Sequence, residues 1–313
     1  MKKLLFCVIV LLLLAGCGAP APTAVPAPTA ETGVYYWLAI NISHPFYIPG
    51  IAGWNAAAKE LGVNAKFVGP QESILAEQIK TFEELIANPT TKGIFLYPMD
   101  ANAGEPLVKE AEAKGITVVM GNSDSTFKTR SGFIGTDNVI MGQQAAAFAA
   151  KIINCKGSVG AIANNVGAAS LDRAESFNAE IARLCPAVVV EDTGIFDANT
   201  GAGLALLDSY MIAHPNLTFL WWTEGSASLM VQPWKEKQDA GLKTLFLGTD
   251  MPDAGLEAVR DGIFIGTLGQ DTFTEEYFGL LMLVTKQKGL NIPDTTLLGT
   301  IIVTKDNVGQ YLK

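Results

Sequence analysis

Histidine is almost missing from this chain: His44 and His214 are the only two among 313 residues. Two imidazoles so far apart leave little material for a triad or a zinc centre, which need a base or several ligands brought together. Cysteine is scarce as well. Cys7 lies in the opening apolar run and Cys17 just behind it, so only Cys155 and Cys185 belong to the body. No Cys-x-x-Cys pair and no phosphate cradle of the Gly-x4-Gly-Lys type occur, nor any Gly-x-Ser-x-Gly nucleophile elbow. Gly201-Ala-Gly203 lacks the third glycine of a dinucleotide fingerprint and reads as a flexible helix entry. Basic charge is short: Lys and Arg number 22 against 31 Asp and Glu. Without Lys2 and Lys3 the net charge falls from −9 to −11. Such a balance disfavours nucleic acid and anionic lipid as partners of the body. After residue 14 no apolar run approaches the roughly twenty residues that span a bilayer. The expectation from these absences is a protein with no catalytic residues, no metal and no cofactor, hence not an enzyme.

What is present begins at the amino terminus. Lys2 and Lys3 precede an apolar run at residues 4–14, followed by Ala15, Gly16 and Cys17. That order is a secretory signal peptide over residues 1–16, and its run is too short for a transmembrane anchor. Cysteine directly after Leu14-Ala15-Gly16 resembles a bacterial lipobox, which implies that Cys17 is lipidated and heads the mature chain. Residues 18–32 consist mainly of Pro, Ala and Thr. Such a tract cannot bury enough apolar surface to fold and serves as a spacer between lipid and body. In an exported protein Cys155 and Cys185 form either a disulfide or two buried thiols.

From Gly33 onward about 280 residues remain, more than one ordinary core accommodates, so two domains are expected. Apolar runs rich in β-branched and aromatic residues lie at 34–42, 63–68, 93–97 and 116–120. Helical spacing appears between them at 51–61, 76–87 and 104–114. The alternation then restarts. Helices are expected at 138–153, 171–184, 202–213, 227–240, 255–261 and 274–288. Strands are expected at 158–163, 188–192, 217–222, 244–248, 264–269 and 299–303. Short strands alternating with long helices indicate βαβ units on parallel sheets.

In open parallel sheets ligands bind beyond the carboxyl ends of the strands. The residues expected there include Asn41, Ser43, His44, Phe46 and Tyr47, then Asn122, then Asn164, Phe196, Trp222, Glu224, Asp250 and Gln270. Nearly every strand therefore ends in a carboxylate, an amide or an aromatic ring. Planar polar groups make paired hydrogen bonds to neighbouring hydroxyls, and rings stack on the apolar face of a sugar. The mixture suits a small, neutral, polyhydroxylated ligand, although Asn and Asp also favour turns for local reasons. His44 either lines the cleft or serves its loop; His214, before Pro215, sits at a helix end where a cation or cap is favourable.

Several stretches carry a family likeness. They are Asn41-Ile-Ser-His-Pro-Phe-Tyr47 with Gly53-Trp-Asn-Ala-Ala-Ala-Lys-Glu-Leu-Gly62, Gly135-Thr-Asp-Asn138, Arg173-Ala-Glu-Ser-Phe177, Ala213-His-Pro-Asn216, Gly248-Thr-Asp250 and Thr267-Leu-Gly-Gln270. In this order, and over nearly the whole mature chain, they resemble the periplasmic sugar-binding proteins of the ribose/galactose-binding type, the receptors of ABC importers. The resemblance implies an α/β fold of two doubly wound parallel-sheet lobes joined by a three-segment hinge, the periplasmic binding protein type I architecture. The crossings would fall near Thr136, Gln270 and Thr300. One lobe would hold residues 33–136 and 271–299, the other 137–270 and 300–313. The resemblance further assigns stacking to Phe46 and Tyr47, hydroxyl binding to Arg173, an aromatic wall to Phe196, and ligand contacts near the hinge to Asp250 and Gln270.

Departures from the family pattern bear on the ligand. Where the ribose receptor has Asp-Arg, this chain has Asn122-Ser123, which removes two charge-assisted hydrogen bonds. Trp222-Thr223-Glu224 replaces a frequent Asn and implies a larger stacking surface or a more apolar ligand. The expected function is a monomeric, extracytoplasmic lipoprotein that captures a monosaccharide-like solute and hands it to an ABC permease in the membrane. A polyol, a furanose signal molecule and a nucleoside are alternatives. A lipoprotein sensor presenting the same closed form to a membrane receptor is the second reading. A hydrolase or isomerase lacks an assembled base, and a cytoplasmic repressor core is opposed by the signal peptide.

Overall fold

The computed structural model describes residues 33–312, apart from Pro45, Gly167, Ala198 and Asn199. The signal peptide, Cys17 and the residue 18–32 spacer lie outside the described residues. In chain order the first half runs β1 (Val34–Leu38), α1 (Tyr47–Leu61), β2 (Asn64–Val68), α2 (Leu75–Ala87), β3 (Thr91–Leu96), α3 (Glu105–Ala113), β4 (Thr117–Gly121) and β5 (Gly132–Thr136). The second runs α4 (Asn138–Ile153), β6 (Ser158–Asn164), α5 (Ala169–Leu184), β7 (Val189–Val190), β8 (Gly194–Phe196), α6 (Thr200–Ala213), β9 (Phe219–Trp222), α7 (Val231–Asp239), β10 (Leu245–Thr249), α8 (Asp253–Arg260) and β11 (Gly266–Gln270). The chain closes with α9 (Thr272–Gln287), β12 (Thr295–Leu298) and β13 (Thr300–Val303).

Two sheets result. The first has the order β12-β5-β4-β3-β1-β2 and every pairing in it is parallel. The second has the order β13-β11-β10-β9-β6-β7, with β8 also paired to β6. Its pairings are parallel except that β13 runs antiparallel to β11. The chain passes between the sheets at three places: after Thr136, after Gln270, and between Leu298 and Thr300. Strand order reverses at β1 in the first sheet and at β6 in the second, and a crevice opens beyond the carboxyl ends at such points.

Both faces of each sheet are covered, which is why β1 (Val-Tyr-Tyr-Trp-Leu) is buried at all five positions. In the first lobe Trp37, Tyr47, Trp54, Phe95 and Tyr97 pack as one aromatic cluster, Trp54 stacking on Phe95 at 6.0 Å and 11°. In the second, Phe177 lies against Phe219 and Trp221. Helices next to the crevice approach closely through single glycines. A Cβ on Gly53 of α1 would stand 2.1 Å from the Phe273 carbonyl of α9, and one on Gly142 of α4 would stand 2.5 Å from the Arg173 carbonyl of α5. Cys155 and Cys185 are joined in a disulfide with Cα atoms 5.1 Å apart. Closing a loop of 30 residues, it ties the end of α4 to the end of α5 and restricts the unfolded chain by roughly 2–4 kcal/mol.

Several elements depart from the sequence expectation for local reasons. The helix expected from residue 51 begins at Tyr47, because Pro49 falls in its first turn, where a missing N–H costs nothing. Pro233 ends a continuous 227–240 helix for the same reason: a 3-10 turn spans Gly225–Met230 and α7 starts afresh at Val231. β5 carries Gly132 and Gly135, which weaken a strand signature. The segment expected as one closing strand is two, β12 and β13, with Gly299 between them and one strand in each sheet.

Candidate functional site

At the carboxyl ends of the two sheets lies a cavity of about 130 Å³. The loop after β1 forms one wall and is tied down by its own side chains. The His44 amide donates to Asn41 Oδ1 at 3.0 Å, Asn41 Nδ2 donates to Ser73 Oγ at 2.8 Å, and the Phe46 amide donates to His44 Nδ1 at 3.1 Å. That last bond leaves His44 Nε2 to carry the ring proton in the neutral form. Phe46 stands edge-on to Tyr47 at 5.2 Å, and both rings reach the cavity. Burial raises the Tyr47 hydroxyl's pKa, opposed by the backbone amides of Ile40 and Asn41.

The opposite wall is a polar chain built on Arg173. Its Nε donates to Asn138 Oδ1 at 2.7 Å, one terminal nitrogen to the Thr223 carbonyl at 3.0 Å, and the other to Gln270 Oε1 at 2.5 Å. Gln270 Nε2 in turn donates to Asp250 Oδ1 at 2.6 Å. The guanidinium thereby joins the starts of α4 and α5 to the ends of β9 and β11. Asp250 Oδ2 is buried with no hydrogen-bond partner among the described residues. A buried carboxylate oxygen without a donor is costly, and Asp250 is one of the residues that line the cavity. Burial pushes the Asp250 carboxyl above the ordinary carboxylate range, against the pull of Arg173. Burial lowers the Arg173 pKa, resisted by Asp250, Glu275 and Glu224.

Two cavity residues hold left-handed backbone: Asn122 at φ 60° and Asp250 at φ 68°. Asn and Asp tolerate that region better than other side chains, and local strain of this kind gathers at binding sites. The Asn122 amide donates to Glu275 Oε1 at 2.6 Å, beneath the cavity floor. Glu224 is fixed by the Trp222 indole at 2.6 Å and by the Ser226 amide at 2.9 Å, and bonds the Ser226 hydroxyl as well.

Of the site residues expected from sequence, His44, Phe46, Tyr47, Asn122, Arg173, Phe196, Glu224, Asp250 and Gln270 line this one cavity. Two do not, and both expectations are corrected. Ser43 faces solvent and donates to the Gln71 carbonyl at 3.0 Å, because the loop turns it away from the crevice. Trp222 is fully buried under the wall, its ring against Phe196 and Phe246, so it supports Glu224 and adds no stacking surface. Ser73, Val166, Ala169 and Ser170 are cavity residues the sequence did not single out. Ser73 comes from the loop before α2, and the other three enter with the β6–α5 connection, whose small residues carry no chemical signature. Asn41 and Asn164, noted only as strand-end residues, also line it. Among the described residues no group of His, Cys, Asp and Glu is placed to hold a metal ion, and no helix is long and apolar enough to cross a membrane.

Two parallel-sheet lobes, joined by three passages and enclosing a cavity of mixed polar and aromatic lining at their strand ends, define the periplasmic binding protein type I fold. The chain belongs to the periplasmic binding protein domain family, whose profile matches residues 35–291. It is similar to the D-allose-binding periplasmic protein of Escherichia coli (strain K12), 24% identical over 280 residues that cover 85% of this chain and 90% of the relative. It is also similar to the ribose import binding protein of Bacillus subtilis (strain 168), 23% identical over 264 residues, 83% of this chain and 84% of the relative. Among solved structures, an ABC transporter solute binding protein from Burkholderia graminis C4D1M in complex with D-arabinose superposes with a TM-score of 0.84 at 26% identity, covering 92% of this chain and all of that one. Each of these relatives is named for binding or import.

Proposed function

We propose that this chain is an extracytoplasmic solute-binding lipoprotein that captures a monosaccharide between its lobes and delivers it to an ABC importer. The observation that carries the reading is the pairing of an aromatic wall, Phe46 and Tyr47, with the Arg173–Gln270–Asp250 chain across one small cavity. Rings meet the apolar face of a sugar while the polar chain meets its hydroxyls, and the unpartnered Asp250 Oδ2 receives one of them. Relatives named for D-allose and ribose, and a structural neighbour holding D-arabinose, support the sugar class. Residues 33–136 with 271–299 form one lobe and residues 137–270 with 300–313 the other. The lobes close about the passages near Thr136, Gln270 and Thr300, and a ligand touching both shifts the population toward the closed form. Lipid on Cys17 holds the body, as a monomer, near its permease.

A thermal-shift panel of pentoses, hexoses, polyols and nucleosides tests the reading. A ligand at about a hundred times its dissociation constant adds roughly 2.7 kcal/mol to stability. In a protein of this size that raises the midpoint by several degrees. A shift with one sugar supports the assignment; a shift with a nucleoside alone, or with nothing in the panel, removes it.

A further inference from the structure

Behind the cavity, in the first lobe, two acidic side chains are sealed into the fold. Glu275 and Glu276 of α9 are both buried, and the Tyr97 hydroxyl, just after β3, has one proton to offer the two of them. They are not equivalent. Glu276 is wedged under α1, where a Cβ on Gly50 would stand 2.7 Å from its Cδ, and its Oε2 is buried with no hydrogen-bond partner among the described residues. Glu275 has a second donor: its Oε1 accepts from the Tyr97 hydroxyl at 2.8 Å and from the Asn122 amide at 2.6 Å. Asn122 lines the sugar cavity on left-handed backbone at φ 60°. Glu275 is thus the anchor of a cavity residue held in a sparsely populated conformation.

Two buried carboxylates side by side do not both ionise, so Glu276, with fewer donors, keeps its proton and Glu275 is the member that gives one up. The groups bonded to Glu275, Tyr97 and Asn122, belong to its own lobe, so closure adds little burial. What closure adds is charge, from Arg173 of α5 and Asp250 just after β10. Of these two Arg173 acts on Glu275 the more strongly, and the burial that lifts the Asp250 carboxyl blunts its opposition. Glu276, Asp271 and Tyr47 complete the surroundings, and all three stay with the first lobe when the cleft opens. We propose that Glu275 is a positioning residue of the sugar site and that capture releases its proton to solvent: closure over the sugar favours ionised Glu275, which holds Asn122 and lies in the field of Arg173. The inference rests on the sugar-binding reading and adds its dependence on pH. Because the ionised form binds the tighter, affinity rises with pH, and the receptor holds its sugar in neutral and alkaline surroundings and loosens it in acid.

The test is calorimetry on the purified protein with D-allose, D-ribose and D-arabinose, in phosphate and in Tris near pH 7, and then from about pH 6 to about pH 8. Tris takes up a proton with much more heat than phosphate, so a released proton makes the measured binding more exothermic in Tris. For whichever sugar binds, the expected result is that difference, with an affinity about fivefold higher at about pH 8 than at about pH 6. The ratio follows from an about tenfold preference for the ionised form of a carboxyl that burial holds at about 7. Glu275→Gln keeps an acceptor for the Asn122 amide and has no proton to lose, so both signals are expected to vanish. Tyr97→Phe takes a donor from the ionised form, and the midpoint of the affinity profile is expected to move to higher pH. Equal heats in the two buffers, or proton uptake, overturn the inference while the sugar reading stands. Proton release that survives Glu275→Gln also overturns it, since the proton then comes from another group such as Asp250. Should Glu275→Gln not fold, the Tyr97→Phe midpoint decides, and an unmoved midpoint overturns the inference. Absence of binding by all three sugars at every pH removes the sugar reading and the inference with it.

Discussion

Asp250 concentrates the chemistry of the site in one residue. Its backbone is left-handed, Gln270 satisfies one carboxyl oxygen, and the other has no donor among the described residues. A carboxyl whose folded pKa is raised by burial is stabilising while protonated and costly once ionised. Asp250→Asn removes that cost and keeps the shape, so the unfolding midpoint near pH 8 is expected to rise. The same change replaces an acceptor with an amide and is expected to weaken sugar binding by about tenfold, close to 1.4 kcal/mol. Calorimetry and thermal unfolding of the one variant check both halves, and tighter binding would contradict the assigned role. Arg173 answers differently. With three of its donors on Asn138, Thr223 and Gln270, Arg173→Ala strips a buried polar chain of its cation and loses stability together with affinity. Phe46, only partly buried and without such partners, is the cleaner probe of stacking.

At the scale of the element, α9 holds an unusual burden. Glu275 and Glu276 are both fully buried, at 1% and 0% exposure, and both face the hydroxyl of Tyr97, at 2.8 and 2.5 Å. A phenol has one proton and can donate to one carboxylate at a time. Around the pair stand Tyr97 just after β3, Tyr47 from α1, Asp271 capping its own helix, and Arg173 and Asp250; among the described residues no cation is in ion-pair contact with it. Burial lifts Glu275 to about 7, and burial together with the charge of Glu275 lifts Glu276 well above its ordinary value. Since the folded values exceed the unfolded ones, this contribution to stability is full below about pH 4.5 and is lost as pH rises through about 7. The unfolding midpoint is therefore expected to fall between about pH 5 and about pH 8. Glu276→Gln should flatten that fall and leave the variant the more stable protein at the alkaline end. A decline as steep as that of the parent would show that Glu276 holds no proton at neutral pH.

For the whole molecule the central expectation is motion between two rigid lobes. Each lobe has its own core, and the passages at Thr136, Gln270 and Thr300 are single strands of chain. Phe46 and Asn122 approach the cavity from one lobe, Arg173 and Asp250 from the other, so a ligand can bridge them only when the lobes are near. Small-angle X-ray scattering of the body should show a radius of gyration that contracts on adding saturating sugar, toward the roughly 19 Å of a compact chain of about 280 residues. An unchanged radius, with binding verified on the same sample, would exclude closure as the consequence of capture.

Much of this was legible in the sequence. The alternation of short β-branched runs with amphipathic stretches dictates parallel sheets, and parallel sheets place ligands at strand ends, which singles out Phe46, Asp250 and Gln270; Arg173, inside a helix, is implied only by the family resemblance. What the sequence could not say is which way a strand-end side chain turns. Trp222 and Glu224 stand two residues apart, yet one is sealed beneath the wall and the other lines it. Only the packing of β9 against Phe196 and Phe246 decides between them. Nor could spacing along the chain bring Glu275 of α9 to within 2.6 Å of the Asn122 amide, or set Ile48 opposite Ile301 across the lobe boundary. Local propensity and hydrophobic pattern determine the elements and the class of fold because they act over a few residues. The partners of a buried charge and the shape of a cavity are set by contacts between residues from twenty to well over a hundred positions apart, which only the folded chain brings together.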